Sequence, residues 1–168
     1  GRAMFGVGPG ALTADAYKMG IEVSDQRRMM NEALDVLVPL LRGEVVNAKT
    51  DWFELRDAEL QMRPYTRPHM EMAVASARSP VGARAAGRHG LGMLCVGTTT
   101  DEGLAAHANN WVICEEEAAQ YDRTVTRDNW RVVAMMHIAE TRDQARKDVA
   151  FGLAQWLDYF REVTTFPI

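Results

Sequence analysis

The fold is decided by residues 70–96, which read MEMAVASARSPVGARAAGRHGLGMLCV. Apolar residues follow one another over 70–77, which predicts a strand that is buried on both faces. Ser79 and Pro80 favour the start of a helix, and Gly90 favours its end. A second apolar strand closes the stretch. Residues 70–96 therefore predict one strand–helix–strand unit of a parallel sheet.

The alternation of strands and helices continues on both sides of this unit. Apolar residues at three- and four-residue steps predict a helix over 25–42, with Gly43 as its stop. Between 45 and 62 the pattern changes to period two, which predicts an antiparallel hairpin with its turn at 49–51. Further strands are predicted at 4–8 and 130–139, and further helices at 101–121 and from Thr141 to about 160.

The predicted order is strand and helix repeated four times, interrupted once by the hairpin. Strands with successive apolar residues indicate a parallel sheet covered by helices, so the predicted fold class is α/β. The local pattern is compatible both with a slice of a (β/α) barrel and with a doubly wound sheet.

Some local features carry structural expectations of their own. Pro39 is expected to kink its helix or to end it early. The segment between Gly10 and Asp25 is expected to form a loop, and the helix after Thr141 to present one continuous apolar face. His137 falls in the last apolar strand, which favours a buried core histidine over a pocket base.

The composition is that of an ordinary globular protein. Of 168 residues, 47% are hydrophobic and 25% are charged, and the formal net charge is −4. These values exclude a disordered or collagen-like chain, and they provide no basic surface for nucleic acid. The apolar runs are far shorter than the roughly 20 residues of a membrane-spanning helix. The chain begins at Gly1 without an initiating methionine, which favours a missing upstream part.

The cysteines and histidines indicate no metal centre. Cys95 and Cys114 do not form a CxxC motif and are expected to be free thiols in a reducing cytoplasm. The four histidines show neither HxH nor HExxH spacing, so no metal site is predicted.

Polar residues follow the strand at 70–77. Ser76 and Ser79 lie at the carboxyl end of this strand and directly before a helix, where free N–H groups and the helix dipole favour an anion. One interpretation is a phosphate site, and the other is that Ser79 merely caps its own helix. Arg28 opposes the dipole of its helix and would benefit from an anionic partner. Its alternative is a surface ion pair with Glu32, four residues on.

A glycine-rich segment, GVGPG at 6–10, follows the first predicted strand. Its spacing does not match the GxGxxG fingerprint of dinucleotide-binding proteins, and Pro9 removes one amide donor. The remaining interpretations are a tight turn and a strand end that faces a cofactor.

The order of these motifs covers nearly the whole chain. They are the strand end at 6–10, Arg27 and Arg28 with Glu32, Trp52-Phe53 in the hairpin, residues 72–80, and AAGRHGLG at 85–92. Taken together they resemble the bacterial luciferase-like flavin-dependent monooxygenases. Residues 1–12 are similar to the limonene-monooxygenase branch of that family in particular.

The resemblance implies a TIM (β/α)8 barrel. Residues 1–168 would form a partial domain of about four β/α units, approximately strands 4 to 7, with an inserted β-hairpin. A complete barrel has roughly 250 residues and carries its active site at the carboxyl ends of the strands. The end strands near Met4 and Trp130 are expected to be covered by further chain or by a second copy.

The resemblance also assigns candidate cofactor contacts. Pro9 stands where the luciferases proper have an arginine, which leaves fewer phosphate contacts at that strand end. The implied contacts are Arg28, Ser76 and Ser79 with the flavin phosphate, Gly8, Gly10 and Ala11 close to the flavin, and Val96 and Gly97 near its isoalloxazine ring.

The implied reaction uses reduced FMN, delivered by a separate NAD(P)H-dependent reductase, and O₂ to oxygenate a small organic, terpene-like substrate. The implied enzyme is a cytoplasmic homodimer. The catalytic histidine of the family lies upstream of this chain, so no catalytic residue is assigned here. One alternative is an F420-dependent oxidoreductase of the same fold, and another is a flavin-binding protein without turnover.

Overall fold

The computed structural model describes residues 3–97 and 100–163 and contains two sheets. The strands are β1 (Met4–Val7), β2 (Val46–Lys49), β3 (Glu54–Ala58), β4 (Glu71–Ser76), β5 (Gly92–Val96) and β6 (Trp130–Val133). A four-stranded parallel sheet has the spatial order β1-β4-β5-β6, and β2 pairs antiparallel with β3. The α/β class, the parallel sheet and the hairpin are therefore confirmed.

Helices lie between successive strands of the parallel sheet, and two more follow β6. A short 3-10 helix, Arg127–Asn129, leads into β6. The α-helices of the described residues are α1 (Thr13–Lys18), α2 (Gln26–Arg42), α3 (Val81–His89), α4 (Asp101–Gln120), α5 (Arg142–Val149) and α6 (Leu153–Val163).

The helix ends lie where the sequence signals predict them. Gly43 and Gly90 terminate α2 and α3 in the left-handed conformation, with φ of +85° and +68°. Thr100 and Thr141 precede α4 and α5, and each side-chain oxygen accepts a 3.1 Å hydrogen bond from the backbone N–H three residues on. These boundaries depend on local chemistry, and they are confirmed.

The hydrophobic core joins the two central strands to α2, α3 and α4. Leu34 and Val38 of α2 pack with Val74 of β4, Met93 of β5 and Trp111 of α4, and all five are almost fully buried. Burial of each such side chain contributes on the order of 1.5–3 kcal/mol. The core therefore fixes the ends of β4 and β5 relative to the start of α3.

The outer strands are less buried than predicted. In β1, Met4 and Phe5 are 45% and 40% exposed, and in β6, Val132 and Val133 are each 51% exposed. Each strand has a neighbour on one side alone in the described sheet, which leaves part of its surface uncovered. The prediction of a strand to residue 139 is also wrong, because β6 stops where its neighbour β5 stops, at the Val96–Val133 pair.

Three local expectations are corrected by the structure. The segment between Gly10 and Asp25 contains the six-residue helix α1, which is too short to show a clear apolar period. Pro39 does not end α2 early: the loss of one N–H does not stop the helix, which continues to Arg42, while the other expectation, a kink at Pro39, stays a prediction. The predicted last helix is divided into α5 and α6 by a turn containing Gly152, a weak helix former.

Among the described residues, no helix combines the length and apolarity needed to cross a membrane.

The close packing of α3 on β4 predicts a large effect for one methyl group. A Cβ placed on Gly82 would lie 2.2 Å from the carbonyl oxygen of Ala75. We expect Gly82→Ala to lower the free energy of unfolding by about 1–3 kcal/mol, because the backbone of β4 cannot move aside without disturbing the core. The measurement is urea unfolding of the two proteins.

The matched control is Gly152→Ala, because a Cβ at Gly152 has no atom within 4 Å in the described structure. The free energy of unfolding of this variant should stay within about 0.5 kcal/mol of the wild-type value. Equal stability of both variants would show that α3 does not rest on β4 as closely as described.

A second prediction concerns pH. His89 at the end of α3 is partly buried, and burial lowers the pKa of its imidazole despite Asp35 Oδ1 at 3.4 Å from Nε2. The unfolded chain therefore binds a proton more readily, so stability should fall as pH drops below about 6.5. His89→Gln should reduce this loss, measured as Tm between about pH 7 and pH 5. His69→Gln is the control, because His69 hydrogen-bonds the Met70 carbonyl and contacts no carboxylate among the described residues. An unchanged pH profile in His89→Gln would contradict the prediction.

Candidate functional site

A cavity of about 710 Å³ opens at the carboxyl ends of β1, β4 and β5. This volume is within the range of small-molecule sites. The parallel strands bring their ends to one edge of the sheet, so segments far apart in sequence meet there. The cavity is lined by Gly8, Pro9, Gly10, Ala11, Thr13, Val23, Ser24, Gln26, Arg27, Met30, Ala75, Ser76, Ala77, Ser79, Val81, Gly82 and Val96.

The loop from β4 to α3 forms one wall of this cavity. Ser76 is 2% exposed and ends β4, and Ser79 precedes the helix. The Oγ of Ser79 accepts a long hydrogen bond, 3.4 Å, from the N–H of Val81. N–H groups in the first turn of a helix have no carbonyl of a preceding turn to bond, so they are available to an anion. Both sequence interpretations of Ser79 are thus compatible with its position, since it caps weakly and also faces the cavity.

Gly82 allows the start of α3 to approach the strand end. Because an added Cβ would meet the carbonyl oxygen of Ala75 at 2.2 Å, a larger residue would push the helix away. Gly82 is buried and lines the cavity. The first turn of α3 is therefore a fixed wall, which suits the binding of a charged group.

The charge of the cavity wall is positive. Arg27 is the charged residue among the described lining residues, and neither aspartate nor glutamate contributes to them. A cation, a helix start and two hydroxyl groups at one place favour an anionic ligand.

Arg28 does not lie with the other predicted contacts. Its Nη1 is 2.7 Å from Asp51 Oδ1 and 3.0 Å from Glu32 Oε1, and Trp52 Nε1 donates to the same Glu32 at 2.6 Å. The hydrogen bond from Arg28 lowers the pKa of the Asp51 carboxyl. The ion pair with Glu32 that the sequence offered as the alternative is present. Arg28 instead attaches the hairpin turn to the start of α2, and its neighbour Arg27 lines the cavity.

The glycine-rich end of β1 passes along the cavity. A Cβ at Gly8 would lie 3.1 Å from the Cβ of Ala75, so β1 and β4 are close there. Gly10 has φ of +93°, and a Cβ at Gly10 would meet the Nε2 of Gln26 at 2.8 Å. The structure thus brings Gly8, Gly10 and Ala11 together with Ser76 and Ser79.

At the end of β5, Val96 lines the cavity, whereas Gly97 is absent from the described lining residues. Gly97 adopts φ of +83°, and its carbonyl oxygen is 2.2 Å from a Cβ placed on Gly103 of α4. Gly97 therefore permits a sharp turn of the chain toward α4. Residues 98–99, which follow it, lie outside the described part of the chain.

Asn110 of α4 is a site residue that the sequence reasoning missed. It is 1% exposed, and its Nδ2, with two hydrogens to donate, lies 2.9 Å from the Ala77 carbonyl oxygen, 3.3 Å from Ser76 Oγ and 3.4 Å from the Ser79 carbonyl oxygen. The signal in the sequence was an amide on the apolar face of α4, next to Trp111. A buried amide at such a position needs hydrogen-bond partners, and here the β4–α3 loop supplies them.

The histidines do not gather at the cavity. His137 is exposed rather than buried in a strand, and its Nε2 lies 3.0 Å from Asp148 Oδ2. This corrects the sequence interpretation; the reason is that β6 ends four residues earlier. His107 is 3% exposed, with no hydrogen-bond partner for either ring nitrogen among the described residues. Among all residues that the structure describes, no group of three or more His, Cys, Asp or Glu side chains is placed to hold a metal ion.

Both cysteines are free, as predicted, and the structure buries both of them. Burial raises the pKa of the Cys95 thiol, and it raises the pKa of Cys114 to about 11. Both groups therefore remain protonated near neutral pH, which does not suit a nucleophile.

Comparison with known proteins identifies the family. The family model described as luciferase-like monooxygenase matches residues 1–165. Limonene 1,2-monooxygenase of Rhodococcus erythropolis is 44% identical over 164 residues, which are 98% of this chain and 42% of that protein. The 4-hydroxyprotoasukamycin monooxygenase of Streptomyces nodosus subsp. asukaensis is 41% identical over 165 residues, or 96% of this chain and 44% of that protein. The chain spans less than half the length of these curated relatives.

Solved structures show the same fold at low sequence identity. The monooxygenase RslO1 from Streptomyces bottropensis matches 95% of this chain and 48% of its own, with a TM-score of 0.79 and 19% identity. The oxygenating constituent of 3,6-diketocamphane monooxygenase from Pseudomonas putida, in complex with FMN, matches 94% of this chain and 48% of its own (TM-score 0.66, 20% identity). An F420-dependent secondary alcohol dehydrogenase matches all of this chain and 49% of its own, also with a TM-score of 0.66 and 20% identity.

These matches decide between the two architectures that the local pattern left open. The parallel sheet with its helices is part of a TIM barrel, and the doubly wound sheet is excluded. The chain belongs to the luciferase-like monooxygenase family.

Proposed function

We propose that the protein is a flavin-dependent monooxygenase that uses reduced FMN and O₂ to oxygenate a small, apolar, terpene-like substrate. The proposal is supported by the family and by relatives that are named monooxygenases. Within it, residues 1–168 correspond approximately to strands 4 to 7 of the barrel. A separate flavin reductase, a cytoplasmic location and a homodimer belong to the same proposal.

The observation that carries the proposal is the chemistry of the cavity wall. Ser76, Ser79, Arg27 and the first turn of α3 lie at the edge of the sheet where barrel enzymes bind their ligands. These groups donate hydrogen bonds or carry positive charge, as the phosphate of a flavin mononucleotide requires. The close approach of Gly82 to the Ala75 carbonyl places the start of α3 next to the cavity, where it can contact the ligand.

The residues of the chain have distinct roles in this proposal. Ser79, Ser76 and the N–H groups of Val81 and Gly82 hold the phosphate, and Arg27 neutralises its charge. At the end of β1, Gly8, Gly10 and Ala11 line the path of the cofactor, while Val96 and Gly97 mark the strand end beside its ring.

Reduced flavin supplies the electrons with which O₂ is activated for oxygen transfer. The chain contributes binding, orientation and the exclusion of water. Val23, Met30, Val81 and Val96 give the cavity apolar walls, which suit an uncharged substrate and limit side reactions with water. No described residue is assigned as catalytic acid or base.

A second candidate is an F420-dependent oxidoreductase, favoured by the structural match to the F420-dependent secondary alcohol dehydrogenase. A phosphate site at the same edge of the barrel would serve either cofactor. A third is a flavin-binding protein without turnover.

One experiment separates these functions. Protein expressed from its complete gene is titrated with FMN and with F420, and then supplied with reduced FMN, O₂ and a panel of terpenes. We expect tight binding of FMN and incorporation of one oxygen atom from ¹⁸O₂ into a product. Binding of F420 in preference to FMN would support the second candidate, and FMN binding without any oxygenated product would support the third.

The phosphate contacts are tested by paired substitutions. Ser79→Ala should weaken FMN binding about 10- to 100-fold, because it removes a hydrogen bond to a charged group. Arg27→Gln should also weaken FMN binding. Its loss of affinity relative to the wild type should be smaller at high salt, since salt screens the charge of the arginine. Isothermal titration calorimetry measures both effects.

The matched control is Arg28→Gln, one residue along the same helix. Its guanidinium is bound to Asp51 and Glu32 outside the cavity, so FMN affinity should stay within about twofold of the wild type. If Arg28→Gln weakened FMN binding and Arg27→Gln did not, the assignment of the cationic contact to Arg27 would be wrong.

A further inference from the structure

Gln26, the first residue of α2, lies on the cavity wall beside the end of β1. Its Nε2 is 2.8 Å from the position that a Cβ on Gly10 would occupy, so the amide takes the space of a side chain at residue 10. Gly10 has φ of +93°, a backbone conformation that favours glycine. The glycine thus leaves room for the Gln26 amide against the end of β1.

The amide of Gln26 is not used within the described part of the protein. Neither its oxygen nor its nitrogen makes a hydrogen bond to another described residue. The side chain is half-buried, so part of the amide is withdrawn from water. A half-buried amide without a partner gains free energy when a ligand supplies one. Gln26 is therefore a polar group of the cavity that is available to a ligand.

The chemistry of an amide favours one kind of partner. An amide has two N–H donors on its nitrogen and an acceptor on its oxygen. A phosphate dianion accepts hydrogen bonds and uses only the nitrogen. A hydroxyl group both donates and accepts, so it matches the amide in either of its two orientations. A chain of hydroxyl groups therefore suits Gln26 best.

The position of Gln26 places it next to the proposed phosphate contacts. It precedes Arg27, and both residues line the cavity. The end of β1 is also close to the end of β4, because a Cβ on Gly8 would lie 3.1 Å from the Cβ of Ala75, the residue before Ser76. In FMN, a ribityl chain that carries hydroxyl groups joins the phosphate to the ring. The hydroxyl groups nearest the phosphate therefore belong to the part of the ligand that Gln26 faces.

We propose that Gln26 is a specificity-determining residue of the cavity, which binds the ribityl hydroxyl groups of the flavin through its amide. This inference rests on the proposed function, because it takes FMN as the ligand. It gives Gln26 a role in flavin recognition that is separate from the phosphate contacts.

The test uses three flavins that differ by one part at a time: FMN, riboflavin without the phosphate, and lumiflavin without the ribityl chain as well. Dissociation constants of the oxidised flavins are measured by fluorescence titration, with protein expressed from its complete gene. Gln26→Met keeps the length of the side chain and removes its hydrogen bonds. This variant should lower the preference for riboflavin over lumiflavin about three- to tenfold, and leave the preference for FMN over riboflavin within about twofold of the wild type.

A second variant, Gln26→Glu, tests the distance from the phosphate. A carboxylate at this position repels a neighbouring phosphate, so the preference for FMN over riboflavin should fall about tenfold at low salt, and less at high salt. An unchanged preference at low salt would place residue 26 away from the phosphate and would overturn the proposal.

Two further variants are matched controls. Arg27→Gln should lower the preference for FMN over riboflavin and leave that for riboflavin over lumiflavin unchanged, which is the reverse of Gln26→Met. Gln120→Met carries the same substitution at the exposed end of α4. It should leave the affinity for each flavin within about twofold of the wild type.

Three results would contradict the role of Gln26. Equal weakening of all three flavins in Gln26→Met would show a loss of packing alone, and loss of the FMN preference alone would show a phosphate contact. A wild-type protein that binds lumiflavin as tightly as riboflavin would show that the hydroxyl groups are not recognised. The proposed function fails in a different way: the wild-type protein then binds none of the three flavins, or binds F420 in preference to FMN.

Discussion

The contact between the start of α3 and the carboxyl end of β4 controls the arrangement of the candidate site. Gly82 leaves room for the Ala75 carbonyl where a Cβ would lie 2.2 Å from it. The first turn of α3 therefore lies against the end of β4, next to Ser76 and Ser79. If α3 were displaced outward, its first-turn N–H groups would leave the cavity wall, and the loop carbonyls would lose their partner in α4. The anion-binding character of this edge is thus a consequence of one backbone approach.

Much of the fold could be predicted from the sequence, because its signals are local. A left-handed glycine at Gly43 or Gly90 and a capping threonine at Thr100 or Thr141 act within one turn of their helix, so neighbouring residues suffice to read them. The length of β6 could not be read in this way. Its residues are apolar to about 138, but a strand continues only while a neighbour pairs with it, and β5 ends opposite Val133.

The candidate site shows the same division. The segments of the cavity could be predicted, since the carboxyl ends of parallel strands meet at one edge. The position of Arg27 could not, because the sequence reasoning considered only Arg28 for an anion, and successive helix residues point about 100° apart. The hairpin places Asp51 and Trp52 beside the start of α2, and Asp51 and Glu32 bind Arg28 there. Asn110 was missed for a similar reason, since its partners lie more than 30 residues away in sequence.

The role of Asn110 depends on how closely α4 approaches α3, and small residues set that distance. A Cβ on Gly87 of α3 would lie 2.4 Å from the Cys114 carbonyl of α4, so the two helices are in backbone contact there. At the other end of α4, a Cβ on Gly103 would lie 2.2 Å from the carbonyl oxygen of Gly97, so α4 is also in backbone contact with the residue that follows β5. An asparagine side chain is short, and it reaches the β4–α3 loop because these glycines remove the intervening atoms. The segment AAGRHGLG, which carries much of the family resemblance, therefore helps to place a side chain of a different helix behind the proposed phosphate site.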